Sequence, residues 1–568
     1  MQLPLFSWLK EYDKATLGQD LGAALIVTLM LIPQSLAYAM LAGLPAEVGL
    51  YASILPLAVY GIFGSSRTLS VGPVAVLSLM TASTLGQLAL EGVHYLDGAL
   101  ALALMSGGWL LLFGLLRLGF VAHFISHPVM SGFISASALL ITLSQLGPLL
   151  GVSLSGHQLL ALVDLFRQFD RITTATLVLS VISLGLLFWS RSRLRSWLLR
   201  LGAGEAVATA LVRLAPALLV LAGILLSDGL GLASRGVALV GQVPAGLPSW
   251  SWPQWSALPW QSMVLPSLLL ALVGFVESVS VGQTLAARRR QRITPNQELI
   301  GLGLSNLTAG LSGGMPVTGG FARSVVNFDA GARTPAAGIY TAIGITLVGL
   351  WLAPWLSLLP KAILAATIVV AVLGLLDLSQ FRHTWRYART DFIALSLTFM
   401  VTLVVNVELG LLVGIAASLL LHLYHSYRPH WAEVGLIAGT EYFRNRLRHQ
   451  VELDRTLLCL RVDESLYFAN AGQLENIITT LISVRPEVRH LVLQCSAINR
   501  IDASALDSLR MINERLKLAG IGFHLAEVKG PVMDKLMQTP LPSELNGHLF
   551  LTMYQAWSSL TTQPEYVI

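Results

Sequence analysis

Residues 313–328, GGMPVTGGFARSVVNF, place one guanidinium, Arg323, in a glycine-rich stretch flanked by apolar sequence. At bilayer depth an unpaired cation costs from about 2.5 to more than 10 kcal/mol, depending on the scale. Two kinds of chemistry could offset that cost. One is a permanent ion pair that braces the fold, with Glu277 of LLLALVGFVESVSVGQTL (268–285) as the candidate acid. The other is an anion pocket. Gly72, Gly313, Gly314, Gly319 and Gly320 let backbone approach closely. Helices beginning near Pro73 and near Phe321 would aim free N–H groups and positive dipole ends at the bilayer centre. Two such ends facing each other make an anion site, and Arg323 in the first turn of the second adds a full charge. The two readings are compatible, because a carboxylate that takes up a proton when the anion binds would couple the anion to a proton. In LIPQSLAYAM (31–40), Pro33 breaks the helix and frees backbone groups. Gln34 then offers amide donors, and Tyr38 lies one turn further on the same face. The plainer alternatives are an interhelical hydrogen bond by Gln34 and core packing by Tyr38.

Such residues need a scaffold in lipid. Of 568 residues, 54% are hydrophobic and 12% charged, against about 25% charged in soluble domains. Apolar segments fall near 16–41, 47–63, 72–87, 98–119, 125–150, 172–190, 205–228, 263–285, 297–313, 322–332, 335–356, 360–377, 389–406 and 408–426. That makes a polytopic α-helical membrane protein of fourteen segments, some too short to cross a hydrocarbon core of about 30 Å. The third and tenth hold the same place in each half of seven. Both are short and follow a polar, glycine-containing approach, SRTLSVGPVAVLSLM (66–80) in the first case. Matched interruptions point to an inverted repeat with a binding site at the midplane.

Fourteen crossings put both termini in the cytoplasm. The basic clusters at 189–200, 286–292, 381–390 and 427–431 then all lie inside, and Trp250, Trp252, Trp255 and Trp260 lie outside. The N-terminus has no cleavable signal pattern. The expected organisation is a cytoplasmic segment (1–15), a transmembrane domain (16–428) and a cytoplasmic α/β domain (429–568). In that last part AGQLENIITTLISV and ASALDSLRMINERLKLAG read as helices, and TLLCLRVDESLYFAN, HLVLQCSAI and GFHLAEV as strands. Cys459 and Cys495 fall there, reduced and buried, with no disulfide framework. Arg213 reads as an anchor at the inner interface, and Glu47 and Glu408 as outer-end residues. The net charge of +5 is a matter of sidedness rather than of nucleic acid. No zinc, P-loop or dinucleotide signature and no catalytic triad is legible, so neither an enzyme nor a cofactor is expected.

IPQSLAYA, SRTLSVGPVAVLSLM, NQELIGLGLSNL and PVTGGFARSVVNFDAGARTPAAG resemble the SulP, or sulfate permease, family of anion transporters, over about residues 10–560. The C-terminal region resembles a STAS domain. The resemblance implies a seven-plus-seven inverted repeat of core and gate domains that works by an elevator-like movement. It places an anion between the third and tenth helices, at Gln34, Tyr38, Pro73, Val74, Ala75, Phe321, Ala322 and Arg323. Relatives often carry Ser where this chain has Ala322, which leaves the backbone N–H as the donor there. Glu277 matches the acid of the eighth helix that relatives associate with proton or sodium coupling. IDASA (501–505) resembles the STAS loop whose Ser is phosphorylated, so Ser504 is a candidate regulatory position; the simpler reading is a helix N-cap. The family also implies a homodimer through STAS domains, in a cell inner membrane. Proton-driven sulfate transport is the first expectation. Sodium-coupled bicarbonate transport and proton-coupled dicarboxylate transport are alternatives, and an anion channel or a membrane receptor signalling through STAS are readings of another class.

Overall fold

The computed structural model describes residues 4–10, 12–90, 92–152, 165 and 167–561. The chain divides into two compact units, Met1–Ser418 and Leu419–Ile568.

Nine helices among the described residues are long and apolar enough to cross a membrane, eight within the first unit and the ninth, Val407–Tyr427, beginning in it. The other expected segments are shorter helices: Ala75–Gln87, Pro295–Leu311, Phe321–Asp329, Ala336–Trp351 and Arg389–Val404. Helix α1 (Lys14–Leu41) starts where the Asp13 side chain accepts the Thr16 N–H at 2.7 Å. It runs unbroken through Pro33. The break expected there does not occur, because neighbouring helices hold α1 on several sides and a single lost i→i−4 bond is tolerated.

Two strands of two residues each, β1 (Val71–Gly72) and β2 (Thr318–Gly319), pair antiparallel at the centre of this unit. Each leads into a short helix, α2 (Ala75–Gln87) and later α5 (Phe321–Asp329). Helix α2 begins at Ala75, two residues after Pro73, with Val74 extended as its N-cap. Between the strands in sequence come α3 (Trp260–Arg288) and α4 (Pro295–Leu311). Helix α4 lies against helix Val93–Leu115 at backbone contact: a Cβ on Gly107 would sit 2.8 Å from the Gly303 carbonyl oxygen. Small residues give helices in lipid this close van der Waals fit.

Three carboxylates tie this unit together. Asp20 of α1, fully buried, accepts from the Arg333 and Thr334 N–H groups and the Thr334 hydroxyl. Glu298 of α4 accepts from the Tyr60 hydroxyl at 2.7 Å, the Ser65 N–H at 2.8 Å, the Ser65 hydroxyl at 2.6 Å and the Ser66 N–H at 3.0 Å. Glu408, only 8% exposed, accepts from Ser83, Thr84 and Gln87 at the end of α2. Its carboxylate therefore clasps α2 to helix Val407–Tyr427 and is not an ordinary end-of-span charge.

In the second unit, six strands form one sheet in the order β4–β3–β5–β6–β7–β8. They are β3 (Trp431–Leu436), β4 (Phe443–Asn445), β5 (Leu457–Val462), β6 (His490–Gln494), β7 (Gly522–Ala526) and β8 (Leu549–Phe550). The last four run parallel. The aliphatic runs of β5, β6 and β7 are buried on both faces, as parallel strands require. Helices α6 (Ala471–Ser483) and α7 (Ala503–Leu518) pack on one face around Leu458, Leu491 and Phe523. The strand pattern read across 456–470 ends at Val462, where the chain turns into the loop that precedes α6. Both cysteines are free and buried; burial and nearby Glu527 push the Cys495 thiol up to about 12, so it stays protonated and inert.

A histidine pair bridges β6 and β7. The His548 N–H donates to His524 Nδ1 at 2.9 Å, so His524 carries its proton on Nε2 and donates to His490 Nδ1 at 3.2 Å. Both rings must be neutral to do this. Burial, then His490 and His548, push His524 down to about 4; burial and Arg489 also lower His490. Between pH 6.5 and 4 the unfolded chain therefore binds more protons than the folded one. Stability is complete above the unfolded value and falls as pH drops through this window, by up to about 3 kcal/mol. Protection factors of the β6 and β7 amides in the full chain, which are exchange rates relative to the intrinsic rate at each pH, are expected to fall from pH 7 to pH 5. The profile should flatten in His524→Gln, whose carbonyl can still accept the His548 N–H.

Candidate functional site

The site begins with the strand pair. Its register, Val71 opposite Gly319 and Gly72 opposite Thr318, places the start of α2 and the start of α5 on one ribbon. Two neighbouring helices lock that ribbon. From α3, Ser278 accepts the Gly319 N–H at 2.9 Å and shares a 2.7 Å hydrogen bond with the Thr318 hydroxyl. From α4, Asn306 donates to the Val317 carbonyl at 2.8 Å and accepts its N–H at 2.9 Å. A third tie crosses directly: Ser324 Oγ accepts the Ser70 N–H at 3.0 Å, and Asn327 donates to the Thr68 carbonyl at 3.0 Å. Irregular backbone at membrane depth needs this kind of internal satisfaction. The sequence reading did not single out Ser278, Asn306, Ser324 or Asn327. Their signal is present, since each is a small polar residue inside an apolar segment.

The residues that cap α2 and α5 are Val74 and Gly320, and neither makes a side-chain capping bond. The first-turn N–H groups of both helices thus lack the usual hydroxyl or carboxylate acceptor. Arg323 is 2% exposed and packs over two glycines: a Cβ on Gly72 would sit 2.8 Å from its Nη1, and one on Gly320 2.9 Å from its Nε. Nη2 donates to the Thr318 carbonyl at 3.4 Å, and Nη1 has no partner. The guanidinium is held sterically, with one end unclaimed.

Arg323 has no carboxylate within 4 Å among the described residues. The permanent Arg323–Glu277 ion pair is therefore absent. Glu277 is half-buried on α3, next to the ribbon-locking Ser278, and among the described residues its carboxylate makes no hydrogen bond. Tyr38, Glu277 and Arg323 nevertheless lie close enough to feel one another's charge.

A cavity of about 320 Å³ adjoins this centre. Gln34, Tyr38 and Ala322 line it from one side, and Arg191, Arg213 and Thr367 from other helices. Arg213 pairs with Asp329 at 2.9 Å, so it faces protein and cavity rather than serving as an interface anchor. A smaller cavity, about 150 Å³ with Gln145 and Lys361 in its wall, shares Ala37 and Ile368 with the larger one. Of the expected site residues, Gln34, Tyr38 and Ala322 thus meet at the large cavity. Phe321 is exposed beside Ala322, whereas Pro73, Val74 and Ala75 are buried and do not line the cavity.

Ser504 lies apart, in the second unit. The helix it was expected to cap begins earlier: Asp502 is the N-cap, accepting the Ala505 N–H at 2.9 Å. Ser504 is exposed in the first turn of α7, and the cap reading fails because the aspartate two residues earlier takes that role.

The chain matches the sulfate permease family over residues 17–398 and the STAS domain over 448–556. Sulfate transporter 4.1, chloroplastic, of Arabidopsis thaliana is 34% identical over 542 residues, covering 91% of this chain and 76% of its own. A probable sulfate transporter of Mycobacterium tuberculosis is 33% identical over 549 residues, covering 96% and 95%. The murine Slc26a9 anion transporter in the inward-facing state superposes with a TM-score of 0.88 at 22% identity, over 98% of this chain and 93% of that one. The transmembrane domain of the cyanobacterial bicarbonate transporter BicA gives 0.61 at 23% identity, over 72% and 98%. At such identities the structural likeness speaks for the fold alone. The fold, the two paired half-helices and the sequence matches converge: this chain is a multi-pass membrane protein of the sulfate permease family of anion transporters, with a C-terminal STAS domain.

Proposed function

We propose that the protein is a secondary active transporter of a small inorganic oxyanion, sulfate coupled to protons, that binds its anion between the N-termini of α2 and α5. The observation that carries this reading is the unclaimed Nη1 of buried Arg323 beside two helix starts with no side-chain cap. A tetrahedral oxyanion would accept from Nη1 and from first-turn N–H groups together. Gln34 and Tyr38 would close the cavity side, and Ala322 would offer only its backbone N–H. Glu277, close enough to sense the charge of Arg323, would take up a proton as the anion arrives, so that the pair enters with less net charge.

Movement would carry the ribbon with α2 and α5 past the helices on the other side of the cavity. The Glu408 clasp on α2 would open and re-form in each cycle. The site would work in a cell inner membrane with both termini in the cytoplasm, in a homodimer contacting through STAS domains. The name of the BicA structure, a cyanobacterial bicarbonate transporter, keeps bicarbonate as the substrate of the second reading, with sodium as the coupling ion that reading would use.

The test is uptake of labelled sulfate into proteoliposomes under an inward proton gradient, with and without sodium. Saturable, proton-stimulated uptake is expected. Glu277→Gln should keep sulfate binding and lose at least about 10-fold of the proton stimulation, equivalent to about 1.4 kcal/mol of coupling. Absence of sulfate uptake by folded protein would remove the substrate assignment. Sodium-stimulated bicarbonate uptake in its place would establish the second reading.

A further inference from the structure

Arg213 sits on helix Glu205–Leu230 and lines the same cavity as Gln34, Tyr38 and Ala322. Its Nη2 donates to Asp329 Oδ2 at 2.9 Å, its one hydrogen bond among the described residues. A guanidinium has five N–H donors, so most of its capacity is unused. Both partners remain reachable, with side chains 24% and 33% exposed. Asp329 is the last residue of α5, the half-helix whose first turn holds Arg323. The two are six residues apart, about 9 Å along the axis at 1.5 Å per residue. A carboxylate at a helix C-terminus faces the negative end of the dipole, so Asp329 is poorly placed for helix stability and draws compensation from Arg213, its hydrogen-bonded partner, and from Arg289 nearby. The same end of α5 is held by a second cation: Arg289 donates to the Phe328 and Ala332 carbonyls and lies 4.2 Å over the Phe328 ring.

We propose that Arg213 is a second anion-contacting residue, which exchanges Asp329 for the incoming anion and so links occupancy of the cavity to release of α5. The inference rests on the transport reading above. An anion arriving in the cavity competes with Asp329 for the same guanidinium. Once Arg213 turns to the anion, Asp329 loses its hydrogen-bonded counter-charge and keeps, among the described residues, only the more distant Arg289; less compensated, it repels the anion from behind. That repulsion loosens the contact between α5 and helix Glu205–Leu230 and favours passage of the anion inward along the cavity toward Arg323. The residue acts on both affinity and rate, because its ion pair joins two helices that face each other across the cavity.

The test compares full-length Arg213→Gln, Asp329→Asn and the swap Arg213→Asp with Asp329→Arg, with labelled sulfate as probe for binding and for uptake. Thermal midpoints without sulfate report folding. Arg213→Gln is expected to weaken sulfate binding about 10-fold, the effect of losing one charge-assisted contact. Asp329→Asn, which frees Arg213, should tighten binding several-fold while slowing uptake. The swap should restore the thermal midpoint but not sulfate binding. Wild-type binding and uptake in the swap would make the pair a brace and overturn the inference. So would unchanged sulfate affinity in Arg213→Gln. A wild-type protein that binds neither sulfate nor bicarbonate would instead overturn the transport reading, and this inference with it.

Discussion

Arg323→Ala is expected to abolish saturable sulfate uptake and to weaken sulfate binding by about 10- to 100-fold. The lost interaction is a charge-assisted contact in a site screened from bulk water, worth about 1.5–3 kcal/mol. Arg323→Lys should recover only part of the affinity. A lysine keeps the charge but cannot hold the Thr318 carbonyl and the oxyanion with separate donors fixed in one plane, and it loses the flat packing over Gly72 and Gly320. Gly72→Ala should mimic the loss in milder form, because its methyl group would press on Nη1 at 2.8 Å. The decisive measurement is the sulfate-induced shift in thermal midpoint, followed alongside uptake. If Arg323→Ala lowered the midpoint yet kept that shift, the guanidinium would be a structural brace.

The largest expected effect on stability lies elsewhere. Glu298 has no cationic partner among the described residues and accepts from four donors supplied by Tyr60, Ser65 and Ser66. Glu298→Ala removes every acceptor at once. Each buried donor left unpaired costs about 1–3 kcal/mol, so the total should exceed about 3 kcal/mol and the variant should unfold or aggregate on extraction. Glu298→Gln should be much milder. Its amide oxygen can keep the Ser65 and Ser66 bonds, and the Tyr60 hydroxyl can rotate to accept from the new NH₂ group. Equal destabilisation by the two substitutions, measured as thermal midpoints in the same detergent, would show that charge rather than hydrogen bonding holds this junction.

Several features could be read directly from the chain. Segment positions follow from local hydropathy, so the fourteen apolar stretches reappear as helices, though five are too short to span unaided. Arg323 announced itself because a cation in apolar text has few explanations. Glycines beside it marked the irregular backbone, and β1 and β2 bear that out. The alternation of strands and helices after residue 430 disclosed the α/β unit. The failures are equally physical. Pro33 was expected to break α1, but neighbouring helices hold it straight. Ser504 was expected to cap α7, but Asp502 competes from two positions earlier.

Amino-acid order alone therefore determined which residues are costly in lipid, where the segments lie and which two of them are interrupted. It did so because burial cost and helix periodicity are properties of the local chain. Partnership was decided only by tertiary structure. Whether Arg323 would pair with Glu277 or stand open depended on where the packing of α3 against the ribbon leaves the two side chains. That Ser278 and Asn306 lock the strands, that Glu298 gathers four donors and that Arg213 finds Asp329 depended on contacts between residues as many as 238 positions apart. Such contacts leave no periodic trace in the sequence, since a hydrogen bond or an ion pair needs two groups within about 3–4 Å and only the packing of whole helices brings them there.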